Sequence, residues 1–326
     1  MFNSGRFRYG CERILWGFIK KLVLADRLAP VISTIYSQHE NYQGFYLVYA
    51  TILFAIQLYA DFSGCMDIII GASELFGVKL PENFDIPFTS ETLPEFWRRW
   101  HITLGAWSKN YLFYPILKSK TWQSIGRHAK KLLGKKRAKN IPTYLGLFVN
   151  WFLIGLWHGG SYKFIMVSGF LPCIFLILGQ MLESKIKRLT EFLKINTDCY
   201  SYRLFRQIRT VLIICSCWVF IGAESLMDGF AIYKDMFATW NPWILFDGSL
   251  QTIGLSHKEF ILVVFTVLML LIVGCLKKKG YRIREELDKQ NYVFQYILLL
   301  AGFFFVVIFG IYGPGYDPVA FIYGQF

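Results

Sequence analysis

Two histidines stand where their chemistry would matter. His158 lies in "GLWHGG", residues 155–160, at the far end of the apolar run 141–160. An ionisable side chain inside a membrane span is costly, which makes it a functional-site candidate. Imidazole titrates near neutrality and can take a proton from an incoming hydroxyl, so His158 reads as a general base in a cavity open to the outside. The plainer reading is a histidine that hydrogen-bonds a neighbouring helix. His101 closes "EFWRRWH", residues 95–101. Glu95 and Arg99 are four apart and can pair on a helix face, and Trp97 and His101 share a face there. Trp97, Arg98, Arg99 and Trp100 resemble an interfacial belt, with arginines reaching phosphates. That belt accounts less well for His101; His101 or an arginine could bind an anionic or polar donor from the cytoplasmic side. Asp61 and Asp67 lie in an apolar helix but six residues apart, on different faces. They are expected to pair with basic groups rather than to act as an acid/base couple. His39, His128 and His257 sit in polar connections and are expected to be solvated.

The elements that must position these residues are membrane helices. Of 326 residues, 55% are hydrophobic and only 17% charged, against about 25% charged in soluble domains. The composition predicts an all-α polytopic transmembrane bundle of about six to seven spans plus interfacial helices. Apolar runs long enough to cross lie near 45–70, 141–158, 163–183, 210–226, 259–276 and 292–312. Residues 95–117 read as a helix entering from the interface. Residues 8–36, broken by Arg13, Lys20, Lys21, Asp26 and Arg27, read as an amphipathic helix lying at the interface.

The net charge of +13 is concentrated between spans, so it reads as topology and no nucleic-acid partner is expected. Basic segments at 118–140, 185–209 and 277–284 fall on one face, taken as cytoplasmic, and the segment 227–257 and the C-terminus on the other. His158 then lies roughly 25 Å along its span, toward the outside, with Gly159 and Gly160 ending the helix and admitting other backbone. The seven cysteines, Cys11, Cys65, Cys173, Cys199, Cys215, Cys217 and Cys275, show no CxxC pair and read as small apolar residues, with no metal site. No cleavable signal peptide is visible.

Taken in order, several blocks resemble one family. "GFIKKLVLADRLAP" at 17–30 precedes "YADFSGCMDIIIGASELFGVKLPENFDIPF" at 59–88, which leads into "EFWRRWHITLGAW" at 95–107, then "GLWHGG", and finally "DPVAFIYGQF" at the C-terminus. This order is similar to the membrane-bound O-acyltransferases, in the bacterial branch of alginate O-acetylases and the D-alanyl transfer protein of teichoic acid synthesis. The resemblance implies one membrane-embedded acyltransferase domain over 1–326, N-terminally truncated relative to the family. It implies an acyl group, acetyl here, carried from a cytoplasmic thioester donor to hydroxyls of an exported or cell-surface polysaccharide.

In this reading His158 matches the catalytic histidine and His101 the second family histidine on the donor path. Trp97, Arg98, Arg99 and Trp157 are implied to line a donor tunnel. No tightly bound cofactor is expected. The donor would be acetyl-CoA or an acyl carrier protein, and the partners membrane lipids, the polysaccharide or teichoic acid acceptor and an extracytoplasmic acyltransferase. The location implied is the cytoplasmic membrane. Where many relatives read Arg-Asp-Tyr after "LGAW", this chain has Lys109-Asn110-Tyr111, a departure from alginate acetylases in particular. D-alanyl transfer to teichoic acids is the second reading. A proton-coupled transporter or flippase, with His158, Asp61 and Asp67 as a relay, is the reading from another class.

Overall fold

The computed structural model describes residues 4–313. "DPVAFIYGQF", assigned above to the family's C-terminus, lies outside the described residues. Five helices in this range are long and apolar enough to cross a membrane: Phe45–Leu75, Tyr162–Phe192, Tyr200–Gly222, His257–Lys278 and Tyr292–Phe309, with Ile141–Trp157 a shorter apolar helix. Two of them extend past the expected spans into polar sequence. Tyr200–Gly222 begins ten residues early because Arg203 and Arg206 both pair with Glu91, at 2.9 and 3.0 Å, so its first turns are held by charge rather than by burial.

The chain divides into two compact units, residues 1–82 with 222–326, and residues 83–221. The first is organised by two antiparallel helices. Residues 4–37 run as one helical rod with a π-helical stretch, Ile19–Ala25, in its middle. After a turn at Gly44 (φ 66°) the chain returns as Phe45–Leu75. Glycines recur at a spacing of seven on both rods: Gly10 faces Gly71, and Gly17 faces Gly64. A Cβ at Gly17 would lie 2.6 Å from the Gly64 carbonyl oxygen, and one at Gly71 would lie 2.7 Å from that of Gly10. The two backbones therefore touch, as small residues allow where lipid supplies no hydrophobic drive.

This approach turns the basic residues of the first rod inward. Lys20 and Lys21 are 5% and 7% exposed. Lys20 Nζ lies 2.6 Å from Asp67, and Lys21 Nζ lies 2.7 Å from Asp61 and 2.8 Å from Asp26. Arg13 spans Asp67 at 3.0 Å and Glu82 at 2.5 Å. The expectation of an interfacial helix for 8–36 is thus corrected: its lysines answer carboxylates, not headgroups. Asp61 and Asp67 are paired, as their cost in an apolar helix demands, which leaves neither free for a proton relay.

His39 is also corrected. It is largely buried, with Nδ1 2.6 Å from Asp235, and the Gly44 amide donates to the Asp235 carbonyl, so the pair closes the turn before Phe45. His128 and His257 are exposed. The basic segment 118–140, read above as a polar connection around His128, is mostly the helix Lys120–Ala138, interrupted at Gly134 (φ 79°).

Breaking a buried ion pair costs about 3–5 kcal/mol. Gly17→Val, which must push the rods apart, is expected to lower the thermal midpoint of the purified chain sharply. Gly179→Ala, where a Cβ meets nothing within 4 Å, is expected to leave it in place; equal midpoints for the two variants would contradict the close packing.

Candidate active site

The second unit builds its site from a break in the helix expected over 95–117. Thr92 caps a short helix, Leu93–Arg99, its hydroxyl accepting from the Glu95 amide. The helix stops because residues 99–102 instead pair with the segment 83–85. The Asp85 amide donates to the Arg99 carbonyl and the Ile102 amide to the Asn83 carbonyl, each at 3.0 Å, with Phe84 and Trp100 bridged between them. Trp100 is extended there, and His101 takes a left-handed conformation, φ 50° and ψ 51°, before the helix Ile102–Ser108 begins. A non-glycine residue in that region costs about 1–3 kcal/mol and persists only where its surroundings impose it. Trp97 and His101 therefore do not share one helix face.

Asn83 imposes it. Its side chain is 2% exposed, and Oδ1 accepts from the Thr103 amide at 3.1 Å and from the Thr103 hydroxyl at 2.9 Å, with His101 Nδ1 at 3.3 Å. Sequence reading passed over Asn83. Its surroundings, "KLPENFDIPF", look like a solvated proline-rich loop, and only the buried partners distinguish it.

Below this turn lies an aromatic core. Phe96 is fully buried, stacked on Trp100 at 5.7 Å and edge-on to Trp97 at 5.3 Å; Trp100 also meets Trp218 at 4.8 Å. Trp97 in turn packs edge-to-face on Trp151, at 4.9 Å, above a cluster of Trp151, Ile154, Cys173 and Leu176. Aromatic pairs of this kind add about 0.5–1.5 kcal/mol each beyond area burial.

His158 arrives from the other side. Ile141–Trp157 ends at it, with the His158 amide still donating to the Ile154 carbonyl at 3.1 Å, and the chain turns through Gly159 (φ 110°) and Gly160 (φ 70°). The close backbone approach expected at those glycines occurs one turn earlier. A Cβ on Gly155 would sit 2.8 Å from the Cα of Ile165, and one on Gly169 would sit 2.9 Å from the Trp151 carbonyl. Those contacts clamp the 141–157 helix to the one that follows and fix the turn carrying His158.

The two histidines meet at one indole. The Trp157 ring lies 5.8 Å from the His101 ring and 5.0 Å from the His158 ring, edge-on to both, and is 55% exposed. The helix break at Trp100 brings His101 to the end of the 141–157 helix that carries His158. His101 lies outside the apolar helices, and burial, helped by His158, lowers its pKa from 6.5 to about 4, so it stays neutral near pH 7. Of the other candidates, Trp97 belongs to the aromatic core. Arg99 is held by Glu95 at 2.8 Å and by the Thr89 hydroxyl at 3.0 Å, and Arg98 is exposed. Among the described residues, no three His, Cys, Asp or Glu side chains converge as a metal site would require.

Fold and site together define a multi-pass helical membrane protein with two imidazoles gathered around an exposed tryptophan. Residues 2–222 match the family model described as MBOAT, membrane-bound O-acyltransferase family, and the chain belongs to that family. It is 31% identical over 242 residues to "Probable alginate O-acetylase AlgI" of Azotobacter vinelandii, covering 74% of this chain and 42% of that protein. It is 26% identical over 308 residues to the peptidoglycan O-acetyltransferase of Helicobacter pylori, covering 89% and 52%. It is 32% identical over 113 residues to the teichoic acid D-alanyltransferase of Bacillus subtilis, covering 35% and 26%. The chain thus spans about half the length, or less, of these relatives.

Asn83→Ala would orphan the Thr103 donors and release His101. It is expected to cost about 1–3 kcal/mol, the usual penalty for unsatisfied buried groups, seen as a lower thermal midpoint. Asn83→Asp, which keeps the acceptor, should lose less; if both variants match the parent, Asn83 does not set the turn.

Proposed function

We propose that this chain transfers an acyl group, acetyl in the first instance, from a thioester donor to hydroxyls of an exported or cell-surface polysaccharide. The observation that carries the reading is the pair of imidazoles on either side of Trp157, in a chain of this family. His158 acts as general base. As it takes the acceptor's proton, the oxygen attacks the thioester carbonyl, the C–O bond forms, the C–S bond breaks, and the imidazolium returns the proton to the leaving thiolate. His101, neutral and held from behind by Asn83, lines the donor side and orients the thioester. Trp157 offers both substrates a flat apolar wall; Trp97 and Arg99 act indirectly, by holding the turn on which His101 sits.

The basic segments would face the cytoplasm by charge bias, placing the donor, acetyl-CoA or an acyl carrier protein, on that side of the cytoplasmic membrane. An extracytoplasmic acyltransferase partner on the opposite side fits a chain that hands acyl groups outward. The likeness to a teichoic acid D-alanyltransferase supports D-alanyl transfer as the second reading. The transport reading loses its relay, since Asp61 and Asp67 are committed to lysines.

The test compares cells expressing this chain with cells carrying His158→Ala. Esters released from the envelope by mild alkali are identified by mass spectrometry. Loss of a general base is expected to cut transfer by about 10²–10⁴-fold. Acetate that depends on His158 supports the polysaccharide reading, D-alanine supports the second, and no dependence of either on His158 removes the base assignment. A pH profile tests His101 separately. With its pKa lowered from 6.5 to about 4, its protonation should weaken transfer only as pH falls toward 4. An acid limb traced to His101 by its loss in His101→Gln, yet centred at the ordinary 6.5, would mean the ring is solvated.

A further inference from the structure

The helix Lys120–Ala138 is amphipathic, and its two halves meet different surroundings. Trp122, Ile125, Gly126, Ala129, Leu132 and Leu133 recur at three- and four-residue spacing and form one apolar stripe. The first half of that stripe is covered. Trp122 Nε1 donates to the Pro142 carbonyl at 2.9 Å, and a Cβ on Gly126 would lie 3.1 Å from the Pro142 ring, which docks the helix against the start of Ile141–Trp157. Beyond that contact the stripe continues uncovered, with Leu132 83% and Leu133 51% exposed. Lys130 flanks the stripe, Arg127 and Lys131 lie across the helix from it, and Lys135 follows the break at Gly134; all four are exposed, and none of the four is in an ion pair among the described residues.

We propose that residues 127–135 are an anionic-lipid-binding element, with Leu132 and Leu133 set among acyl chains and Arg127, Lys130, Lys131 and Lys135 on the headgroup phosphates. Three features fit a lipid surface. The helix is docked at the end of an apolar helix, where headgroups begin. Its uncovered stripe is narrow and aliphatic, suited to shallow insertion. Its cations have flexible stems that lie along acyl chains while their heads reach phosphate. Each basic residue near an anionic membrane surface adds to the attraction, and salt screens it. The Gly134 break interrupts the helix after Leu133 and so keeps the element short.

The test is hydrogen exchange of the full chain in nanodiscs of phosphatidylcholine, with and without phosphatidylglycerol. Amides of residues 127–133 are expected to exchange roughly tenfold more slowly with phosphatidylglycerol present, given four cations at the surface, and the difference should vanish at high salt. The double variant Lys130→Gln, Lys131→Gln should lose most of the difference, and Leu132→Ser with Leu133→Ser should speed exchange in both kinds of disc. Unchanged exchange in the Phe45–Leu75 helix certifies that each variant is folded. Equal exchange of 127–133 in the two discs overturns the proposal. So does slowing that appears only when an acidic carrier protein is added, which would assign the helix to a protein partner.

Discussion

A single buried amide oxygen bears on three groups at once: the Thr103 amide, the Thr103 hydroxyl and the Nδ1 side of the His101 ring. Asn83 holds them from a segment that would otherwise be a surface loop, and its own carbonyl takes the Ile102 amide. The left-handed turn at His101 follows from this grip, because the backbone on both sides of the histidine is pinned to residues 83–85. The direction of the helix Ile102–Ser108 follows from the turn. The position of the imidazole beside Trp157 follows from both. Phe96 and Trp100 supply packing around the break, Trp100 lying edge-on to Phe84 at 5.0 Å, while the hydrogen bonds of Asn83 and Asp85 hold the broken backbone.

In the other unit the organising constraint is the absence of side chains. Gly10, Gly17, Gly64 and Gly71 remove the atoms that would hold two rods apart. Only at that distance can Lys20 and Lys21 reach Asp67 and Asp61 with short contacts. Buried charges of this kind contribute little net stability compared with apolar replacements, but they are very costly to mismatch. The ion pairs thus fix the register of two helices whose surfaces are otherwise interchangeable apolar stripes.

The long apolar helices were legible because hydropathy and length dictate them, and the partners of Asp61 and Asp67 were legible in kind because a lone carboxylate there is untenable. Helix ends were less so: Tyr200–Gly222 runs on through arginines that find Glu91, a partner more than a hundred residues away. The break at Trp100–His101 was not legible, since "FWRRWHITLGAW" has no glycine or proline before Gly105 and reads as unbroken helix; tertiary pairing overrode local preference. Asn83 and the inward turn of Lys20 and Lys21 were hidden for the same reason. A polar residue in sequence declares what it needs, not which distant group will answer it. The histidines themselves were visible as chemically expensive residues, but their gathering around Trp157 depends on that unannounced break.

The left-handed backbone at His101 has an evolutionary corollary. Apart from glycine, asparagine is among the side chains that enter this region most readily. A change from histidine to asparagine at position 101 would leave the turn, the Asn83 bonds to Thr103 and the aromatic core undisturbed while deleting the imidazole. Position 101 thus lets the architecture be separated from the side chain's chemistry by one substitution, and descent from this scaffold to a chain that keeps the turn and His158 but lacks the second imidazole has an open route there.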